Sequence, residues 1–328
     1  MANNVDDRLL PLVSFCIVTF NTSKFILETL ECAKSQTYQN LELIISDDCS
    51  TDNTLDIVRD WISKNGSRFV RTEIITVPHN TGVASNKLRA EKACKGEYIK
   101  SIDGDDLITS DFIEKAVNVL ENNPECSFLY TNTYYLLDKE GKCTPEDTSR
   151  FKGGNIFSEL FLVDFWIKTT SWFYKREVSK ETEYDPSQYL CEDYLRTLDI
   201  AYKFKIYYLN EYMAYYRRHD DNMAKDKEWT KDGMFRYFES QLQAISHYSQ
   251  FPLFEERKKW ILGQLEEEAK CRNPFYLVQM SFRYNEFKYI KVYIRFKWNV
   301  MKYSIKKTSF FKFCRSSWLW RKMKGEIR

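Results

Sequence analysis

The sequence predicts an α/β fold with a mostly parallel, Rossmann-like sheet flanked by helices. Over the first 130 residues, strand-like apolar runs alternate with amphipathic helical segments, and this alternation indicates parallel strands joined by right-handed crossovers. Polar and acidic residues follow the predicted strand ends, which is where such sheets bind ligands. Beyond residue 222 the pattern becomes helical and charged, so we expect a helical C-terminal extension.

Each predicted element has a local reason. Val13–Thr19 is a β-branched apolar run, which suits a strand buried on both faces. Ser50 or Thr51 offers an N-cap for the second helix, and Gly96 ends the third helix. The other predicted segments, in chain order, are helix Lys24–Gln36, strand Leu41–Ser46, strand Thr72–Val77, helix Gly82–Lys95 and strand Glu97–Ile102.

Charge is unevenly distributed along the 328 residues. The chain has 49 basic and 47 acidic side chains, a formal net charge of +2. Residues 281–328 hold 14 Lys or Arg and two Asp or Glu, so this tail carries +12 and the rest of the chain −10. A basic tail on an acidic body predicts a polyanion or an anionic membrane as a partner.

The hydrophobic fraction of 43% is enough to form a core, which excludes a disordered chain.

Cysteine and histidine usage excludes several metal and redox sites. The nine cysteines form no CxxC pair, so neither a zinc ribbon nor a thioredoxin-type site is expected. Three histidines are too few for a His-rich metal site. Scattered cysteines indicate reduced thiols in a cytoplasmic protein. The apolar stretch Leu9–Phe20 follows two acidic residues, whereas a secretory leader begins with basic ones. The sequence contains no run of ~20 apolar residues, so it predicts no membrane-spanning helix.

The strand ends bring acidic residues to one edge of the predicted sheet. Thr19–Asn21 follows the first strand, Asp47–Asp52 the second and Asp103–Asp106 the fourth. Turn formation would explain one such loop, but carboxylate pairs at two strand ends favour a ligand site. Neither a GxGxxG fingerprint nor a P-loop occurs, so phosphates would need another partner. Asp103 and Asp105 project the same way in an extended segment, and oxygen ligands suit Mg²⁺ or Mn²⁺ bound to substrate phosphates.

Six segments match one family pattern in order and spacing. Val18 and Cys49 stand where that pattern commonly has Pro and Gly. The segments are Val13–Asn21, Ser35–Glu42, Asp47–Asp52, Asp103–Asp106, Glu192-Asp193 and Tyr216–His219. Over residues 12–222 they resemble glycosyltransferase family 2, whose nucleotide-sugar-binding domain has the glycosyltransferase A-type fold.

The resemblance implies a binding site at the predicted edge of the sheet. It implies that Mn²⁺ or Mg²⁺ is held by Asp103, Asp105 and His219. It also makes Arg217, together with its neighbour at 218, a candidate to neutralise a leaving diphosphate. The residues that the resemblance implies for nucleotide-sugar binding are Thr19, Phe20, Asn21, Asp47, Asp48, Lys87, Asp103, Gly104 and Arg218.

The implied reaction moves a hexose or N-acetylhexosamine from a nucleotide sugar, with UDP favoured, to a hydroxyl of a growing, lipid-carried bacterial glycan such as an O-antigen. Asp193 matches the family's general base. Glu192 is the alternative, and its other role would be charge complementarity at a helix N-terminus. One base and direct displacement imply inversion at the anomeric carbon. Two other classes stay open: a nucleotidyltransferase acting on a sugar phosphate, and a non-catalytic membrane-surface adaptor.

The chain divides into three predicted parts. Residues 1–125 form the nucleotide-sugar-binding half, 126–222 the acceptor-side half of the same catalytic domain, and 223–328 a helical extension. Within the second part, Asp164–Tyr174 is either a sugar-stacking segment or a core strand. Within the third, Trp229–Lys270 predicts one or two amphipathic helices.

The tail 281–328 combines basic and aromatic side chains. A helix with a cationic face and aromatic anchors suits an anionic leaflet, which would place the protein in the cytoplasm, peripheral on the inner face of the cell membrane. Packing of this helix on the acidic body is the alternative. Nucleic acid is not expected, because no nucleic-acid motif occurs. The basic residues that share one helical face are Lys288, Lys291, Arg295, Lys302 and Lys306.

Overall fold

The computed structural model describes residues 10–137, 141–162, 167–182, 184–185, 192–220, 227–272, 280 and 292. The predicted tail 281–328 therefore lies, apart from Val292, outside the described residues, and so does the start of the aromatic segment Asp164–Tyr174. In the described part of the chain, no helix is both long and apolar enough to cross a membrane.

The described strands form one sheet in the order β3-β2-β1-β4-β8-β6-β9-β5, with β7 paired to β6. The first four pair in parallel, which confirms the predicted α/β class, and their bounds agree with the predicted ones to within a residue or two. The strands are β1 Val13–Thr19, β2 Leu41–Asp47, β3 Arg71–Thr76, β4 Tyr98–Asp103, β5 Leu107–Ile108, β6 Cys126–Leu137, β7 Lys142–Pro145, β8 Phe173–Lys175 and β9 Lys205–Arg218.

Helices cover both faces of this sheet. The second helix begins at Thr54, later than the predicted cap at Ser50 or Thr51. Those two residues instead bond the loop after β1, because the Ser50 hydroxyl accepts from the Asn21 backbone amide and the Thr51 amide donates to the Asn21 side chain. The helices are α1 Ile26–Lys34, α2 Thr54–Asn65, α3 Val83–Ala93, α4 Phe112–Asn122, α5 Phe157–Leu162, α6 Arg176–Glu181, α7 Glu192–Lys203, α8 Lys227–Ser246 and α9 Phe254–Arg272.

The sheet continues beyond β4 through the short strand β8 to two long strands, β6 and β9. β6 and β9 pair in parallel along their whole length, and a 3₁₀ turn, Thr169–Ser171, lies between β4 and these strands. Trp172, Phe173 and Tyr174 are buried. The described end of the aromatic segment thus belongs to the core, as the strand interpretation predicted.

The apolar residues of β1 alternate between two cores, as expected for a strand buried on both faces. Phe15 and Ile17 pack in one core with residues of α1, α2 and α4. Cys16 and Val18 pack in the other with residues of α3, α5 and α7. Residues of α8 and α9 join this second core, so the described part of the extension packs on the body.

A buried ion pair joins α3 to α7. The Arg196 guanidinium donates to both oxygens of Glu91 at 2.5 and 2.8 Å, and each side chain is at most 5% exposed. Tyr174 and Ser179 donate to the same carboxylate at 2.7 and 2.6 Å. Burial opposes ionisation of Glu91, but Arg196 and these hydroxyls hold its pKa below the usual value. The pair fixes α7, and with it Glu192 and Asp193 at its start, against the sheet.

We predict that Arg196→Met lowers the free energy of unfolding by about 3–5 kcal/mol, because it leaves the charge of Glu91 buried and unpaired. Urea unfolding followed by circular dichroism measures the loss. Arg59→Met is the matched control, since Arg59 forms an exposed pair with Asp56 at 3.9 Å, and such pairs contribute about 1 kcal/mol or less. Equal, small losses in both variants would contradict this role for the buried pair.

Candidate functional site

Three predicted site residues meet at the carboxyl ends of neighbouring strands. The register of the parallel sheet aligns Thr19 of β1 with Asp47 of β2, and Val18 with Asp103 of β4. Phe20, the next residue along the chain, is 43% exposed at this edge. The edge therefore offers an accessible aromatic ring beside buried polar groups.

Asp48 uses its full hydrogen-bonding capacity inside the chain. One carboxylate oxygen accepts from the Thr81 and Gly82 amides at 2.8 and 2.7 Å, and the other from the Thr81 hydroxyl and Arg89 at 2.6 and 2.8 Å. Although burial opposes it, these donors lower the pKa of Asp48. A carboxylate has about four acceptor positions, so Asp48 holds the loop after β3 in place. Its predicted contact with a base or ribose would need these bonds to change.

Asn21 also bonds within the chain. It lies at φ 54°, in the left-handed region that Asn tolerates. Its side-chain oxygen accepts from the Thr51 amide, and its own amide donates to the Ser50 hydroxyl, both at 2.8 Å. Asp47, which is fully buried, accepts from the Ser50 amide at 2.8 Å. These bonds join the loops after β1 and β2 into one surface.

Gly104 is required by a close approach to β1. A Cβ atom at this position would lie 3.0 Å from the hydroxyl oxygens of both Thr19 and Thr22. The resemblance implied that Gly104 contacts the nucleotide sugar. In the structure the near neighbours are protein hydroxyls, and the Gly104 amide donates to the Val18 carbonyl at 2.8 Å.

The acidic loop, Asp103–Asp106, contains the predicted metal ligands. His219 Nε2 lies 2.9 Å from Asp105 Oδ2, and the imidazole contacts the Phe25 ring at 4.4 Å between centroids. Burial raises the pKa of Asp103, and the charge of Asp105 adds to the rise. Lys87 acts in the opposite direction and favours the charged form of Asp103.

Within the described residues, no group of three or more His, Cys, Asp or Glu side chains is placed to hold a metal ion. Asp103, Asp105 and His219 are therefore not assembled as a three-ligand group in this part of the chain. Mg²⁺ commonly takes one or two carboxylates and fills its other positions with waters and substrate phosphates. The carboxylates of Asp103 and Asp105 are oxygen donors that suit Mg²⁺ or Mn²⁺, so the carboxylates present fit such an ion, and His219 beside Asp105 adds a nitrogen donor.

Lys87 connects the acidic loop to the start of α7. Its ammonium lies 3.8 Å from Asp103 and 3.7 Å from Glu192. Burial alone would lower the pKa of Lys87, but Asp103, Glu192 and Asp193 raise it above its usual value. Glu192 is 7% exposed, and burial raises its pKa. A small pocket opens here and is lined by Lys87, Asp103, Thr169, Trp172 and Arg196 among others.

Asp106 organises the site, a role that the sequence did not predict. It is 1% exposed, and one oxygen accepts from the Arg217 amide at 2.9 Å while the other accepts from the Thr170 hydroxyl. The Arg217 side chain donates to the Asp105 carbonyl at 2.7 Å and pairs with Glu28 at 2.6 Å. The Arg217 side chain is therefore engaged within the protein, and its contact with a leaving diphosphate stays a prediction. The sequence signal that could have identified Asp106 is its position as the third acid of the Asp-Gly-Asp-Asp sequence.

We predict that Asp106→Ala speeds amide hydrogen exchange at Arg217 and lowers the free energy of unfolding by about 1–3 kcal/mol, since a buried amide loses its acceptor. Asp106→Asn should stay near the wild type, because its oxygen can accept from Arg217 and its amide can donate to Thr170. Exchange mass spectrometry on peptides covering β9 measures this. Unchanged protection in Asp106→Ala would contradict the assignment.

Comparison with known proteins gives one family. The family model described as Glycosyl transferase family 2 matches residues 14–182, about half of the chain. The Escherichia coli UDP-Glc:alpha-D-GlcNAc-diphosphoundecaprenol beta-1,3-glucosyltransferase WfaP is 36% identical over 129 residues, which are 39% of this chain and 48% of WfaP. The chain spans between about a fifth and a half of the length of several curated relatives that it matches.

Solved structures share the fold at low sequence identity. Staphylococcus aureus TarS in complex with UDP-GlcNAc has a TM-score of 0.61 at 19% identity, covering 87% of this chain and 81% of that one. Pyrobaculum calidifontis mannosyltransferase PcManGT, solved with GDP-Man and Mn²⁺, has a TM-score of 0.54 at 16% identity, covering 89% and 86%. These similarities confirm the predicted A-type fold. With the family model matching about half of its length, the chain belongs to glycosyltransferase family 2.

Proposed function

We propose that this protein is a metal-dependent, inverting glycosyltransferase that moves a hexose or N-acetylhexosamine from a UDP-sugar to a hydroxyl of a growing, lipid-carried glycan. The observation that carries the proposal is the convergence of the Asp105–His219 pair, Asp103 and the start of α7 on one edge of the sheet. WfaP supports the UDP donor and a diphosphate-lipid acceptor by its name. The bound UDP-GlcNAc of TarS supports the same donor class.

The donor would lie along the ends of β1, β2 and β4. Phe20 is exposed there and offers a ring face to a base, while Thr19, Asn21 and Asp47 shape the loop around it. Asp103 would contact the ribose and, with Asp105 and His219, would hold the ion. When bound, Mg²⁺ or Mn²⁺ supplies positive charge that stabilises a leaving diphosphate.

A base on the acceptor side completes the reaction. We assign this base to Asp193, which is half-buried at the start of α7. Its charge reaches both Asp103 and Lys87. Glu192 is less suited, because it is buried beside Lys87. Asp193 would take the proton of the acceptor hydroxyl while the hydroxyl oxygen bonds to the anomeric carbon and the bond between that carbon and the diphosphate oxygen breaks. A single displacement of this kind inverts the anomeric configuration.

We predict that Asp193→Asn lowers kcat by about 10²–10⁴-fold, the usual contribution of a general base, with little change in UDP affinity. Asp105→Asn should instead weaken UDP binding and raise the Mn²⁺ concentration needed for half-maximal rate. The assay follows UDP release from UDP-GlcNAc and UDP-glucose with a panel of alkyl glycoside acceptors, and calorimetry with Mn²⁺ measures UDP affinity.

Asp60→Asn, on the exposed face of α2, is the matched control for these substitutions and should behave as the wild type. Full transfer by either site variant would remove the role assigned to that residue. Release of pyrophosphate from UTP and a sugar phosphate, in place of UDP release, would instead identify a nucleotidyltransferase.

The basic tail is proposed to hold the protein on an anionic membrane surface, next to a lipid-carried acceptor. Its +12 charge supports this, because each basic residue near such a surface contributes about 1 kcal/mol. The protein would then be peripheral on the cytoplasmic face of the membrane.

Changing the five basic residues of the predicted helical face to Gln is expected to reduce co-sedimentation with phosphatidylglycerol vesicles, because the attraction is electrostatic. Neutral phosphatidylcholine vesicles should bind neither protein strongly. Equal sedimentation of both proteins would contradict a tail-based anchor. The matched control changes five exposed residues of the body to Gln: Lys34, Lys64, Lys115, Lys152 and Lys203.

A further inference from the structure

Two cations converge on one tyrosine beside the acidic loop. The guanidinium carbon of Arg218 lies 4.0 Å from the centroid of the Tyr135 ring, and Lys168 Nζ lies 5.9 Å from the same centroid. Tyr135 is on β6, Arg218 ends β9, and Lys168 precedes the 3₁₀ turn. We call these three residues the cationic cluster.

The acidic loop fixes the position of this cluster. Asp106 bonds both the Arg217 amide and the Thr170 hydroxyl. Arg218 directly follows the first of these partners, and Lys168 lies two residues before the second. Both cations are therefore attached to segments that Asp106 joins, so the cluster and the loop form one unit.

Tyr216 interacts with both the cationic cluster and the acidic loop, which supports their proximity. The ring of Tyr216 meets that of Tyr135 edge-on at 6.2 Å between centroids. Burial, together with the charges of Asp106, Asp103 and Asp105, raises the pKa of Tyr216 to about 12. Tyr216 therefore lies within electrostatic range of the acidic loop and in contact with the cluster.

Tyr135 and Arg218 lie on strands other than those that form the donor edge. The donor edge comprises the ends of β1, β2 and β4, whereas β6 and β9 lie beyond β8 in the strand order. His219 contacts Asp105, but its neighbour Arg218 stacks on Tyr135. Arg218 is thus placed on the side of the sheet that the sequence assigned to the acceptor.

The charges of the cluster are available to a ligand. Within the described residues, no carboxylate lies within ion-pair distance of Lys168 or Arg218. The charge of Lys168 reaches the carboxyl of Glu146 and acts to lower its pKa, but burial raises this pKa to about 7. An arginine stacked on a ring still presents N–H groups at its edge, and these match the two oxygens of a phosphate or carboxylate. Arg218 is exposed.

We propose that Tyr135, Lys168 and Arg218 form an acceptor subsite that binds an anionic group, a phosphate or a carboxylate, adjacent to the hydroxyl that receives the sugar. This inference rests on the proposed function and replaces the predicted contact between Arg218 and the donor diphosphate. A phosphate would come from the lipid diphosphate of a short acceptor, and a carboxylate from a uronic acid in the glycan.

Binding of three soluble probes tests the subsite and separates the two sources of charge. The probes are octyl N-acetylglucosaminide, octyl glucuronide, and N-acetylglucosaminyl diphosphate carrying a short alkyl chain. Calorimetry measures each against the full chain saturated with UDP and Mn²⁺. The wild type should bind at least one anionic probe about tenfold or more tightly than the neutral probe, as expected for charge-assisted hydrogen bonds. Preference for the diphosphate or for the glucuronide identifies the source.

Lys168→Gln and Arg218→Gln should each weaken the preferred anionic probe about tenfold and leave the neutral probe and UDP unchanged. Arg218→Lys should recover part of the loss, because it keeps the charge but not the planar fork. The double variant Arg59→Gln with Lys64→Gln, on the exposed face of α2, is the matched control and should bind every probe as the wild type does. Urea midpoints confirm that all variants fold.

Three results would overturn the inference. Equal binding of neutral and anionic probes by the wild type would remove the anionic subsite while leaving the proposed function intact. Weaker UDP binding in Arg218→Gln would return this residue to the donor diphosphate. Failure of the wild type to bind UDP with Mn²⁺ would remove the proposed function, and the subsite with it.

Discussion

The buried carboxylate of Asp106 is the contact on which the arrangement of the site depends. It joins the acidic loop to Thr170, 64 residues away, and to Arg217, 111 residues away. Burying a carboxylate is costly unless its oxygens are hydrogen-bonded, so the three segments are stable only in this mutual position. His219 and Lys168 lie on the joined segments, and their positions follow from this contact.

The two halves of the site use charge in different ways. At the proposed donor edge, intrachain donors occupy the carboxylate oxygens of Asp48 and the side-chain oxygen of Asn21, so the loops around the pocket are already formed. Such preorganisation reduces the reorganisation needed when a substrate binds. On the side proposed for the acceptor, Lys168 and Arg218 face an aromatic ring. This contrast favours a firmly shaped donor pocket next to a surface that selects its acceptor by charge.

Sequence patterns predicted the first four strands well, because strands buried on both faces are continuous apolar runs such as Val13–Thr19. They were less accurate where a polar residue had two possible partners. Ser50 could cap a helix or bond the neighbouring loop, and in the structure its hydroxyl accepts from the Asn21 backbone amide. Gly104 was predicted to contact the nucleotide sugar, yet its close neighbours are the hydroxyls of Thr19 and Thr22. In both cases the competing partner is distant in sequence.

The sequence by itself determined the order of the elements, the gathering of acidic loops at one edge and the family. These follow from local apolar periodicity and motif spacing, which are properties of the chain alone. Only the tertiary structure decided which charged groups are committed to the fold. Asp48, Asp106 and Arg217 bond within the protein, whereas Asp105 meets His219 at the open edge. The physical reason is that a carboxylate has few acceptor positions, and folding alone determines which distant donors fill them.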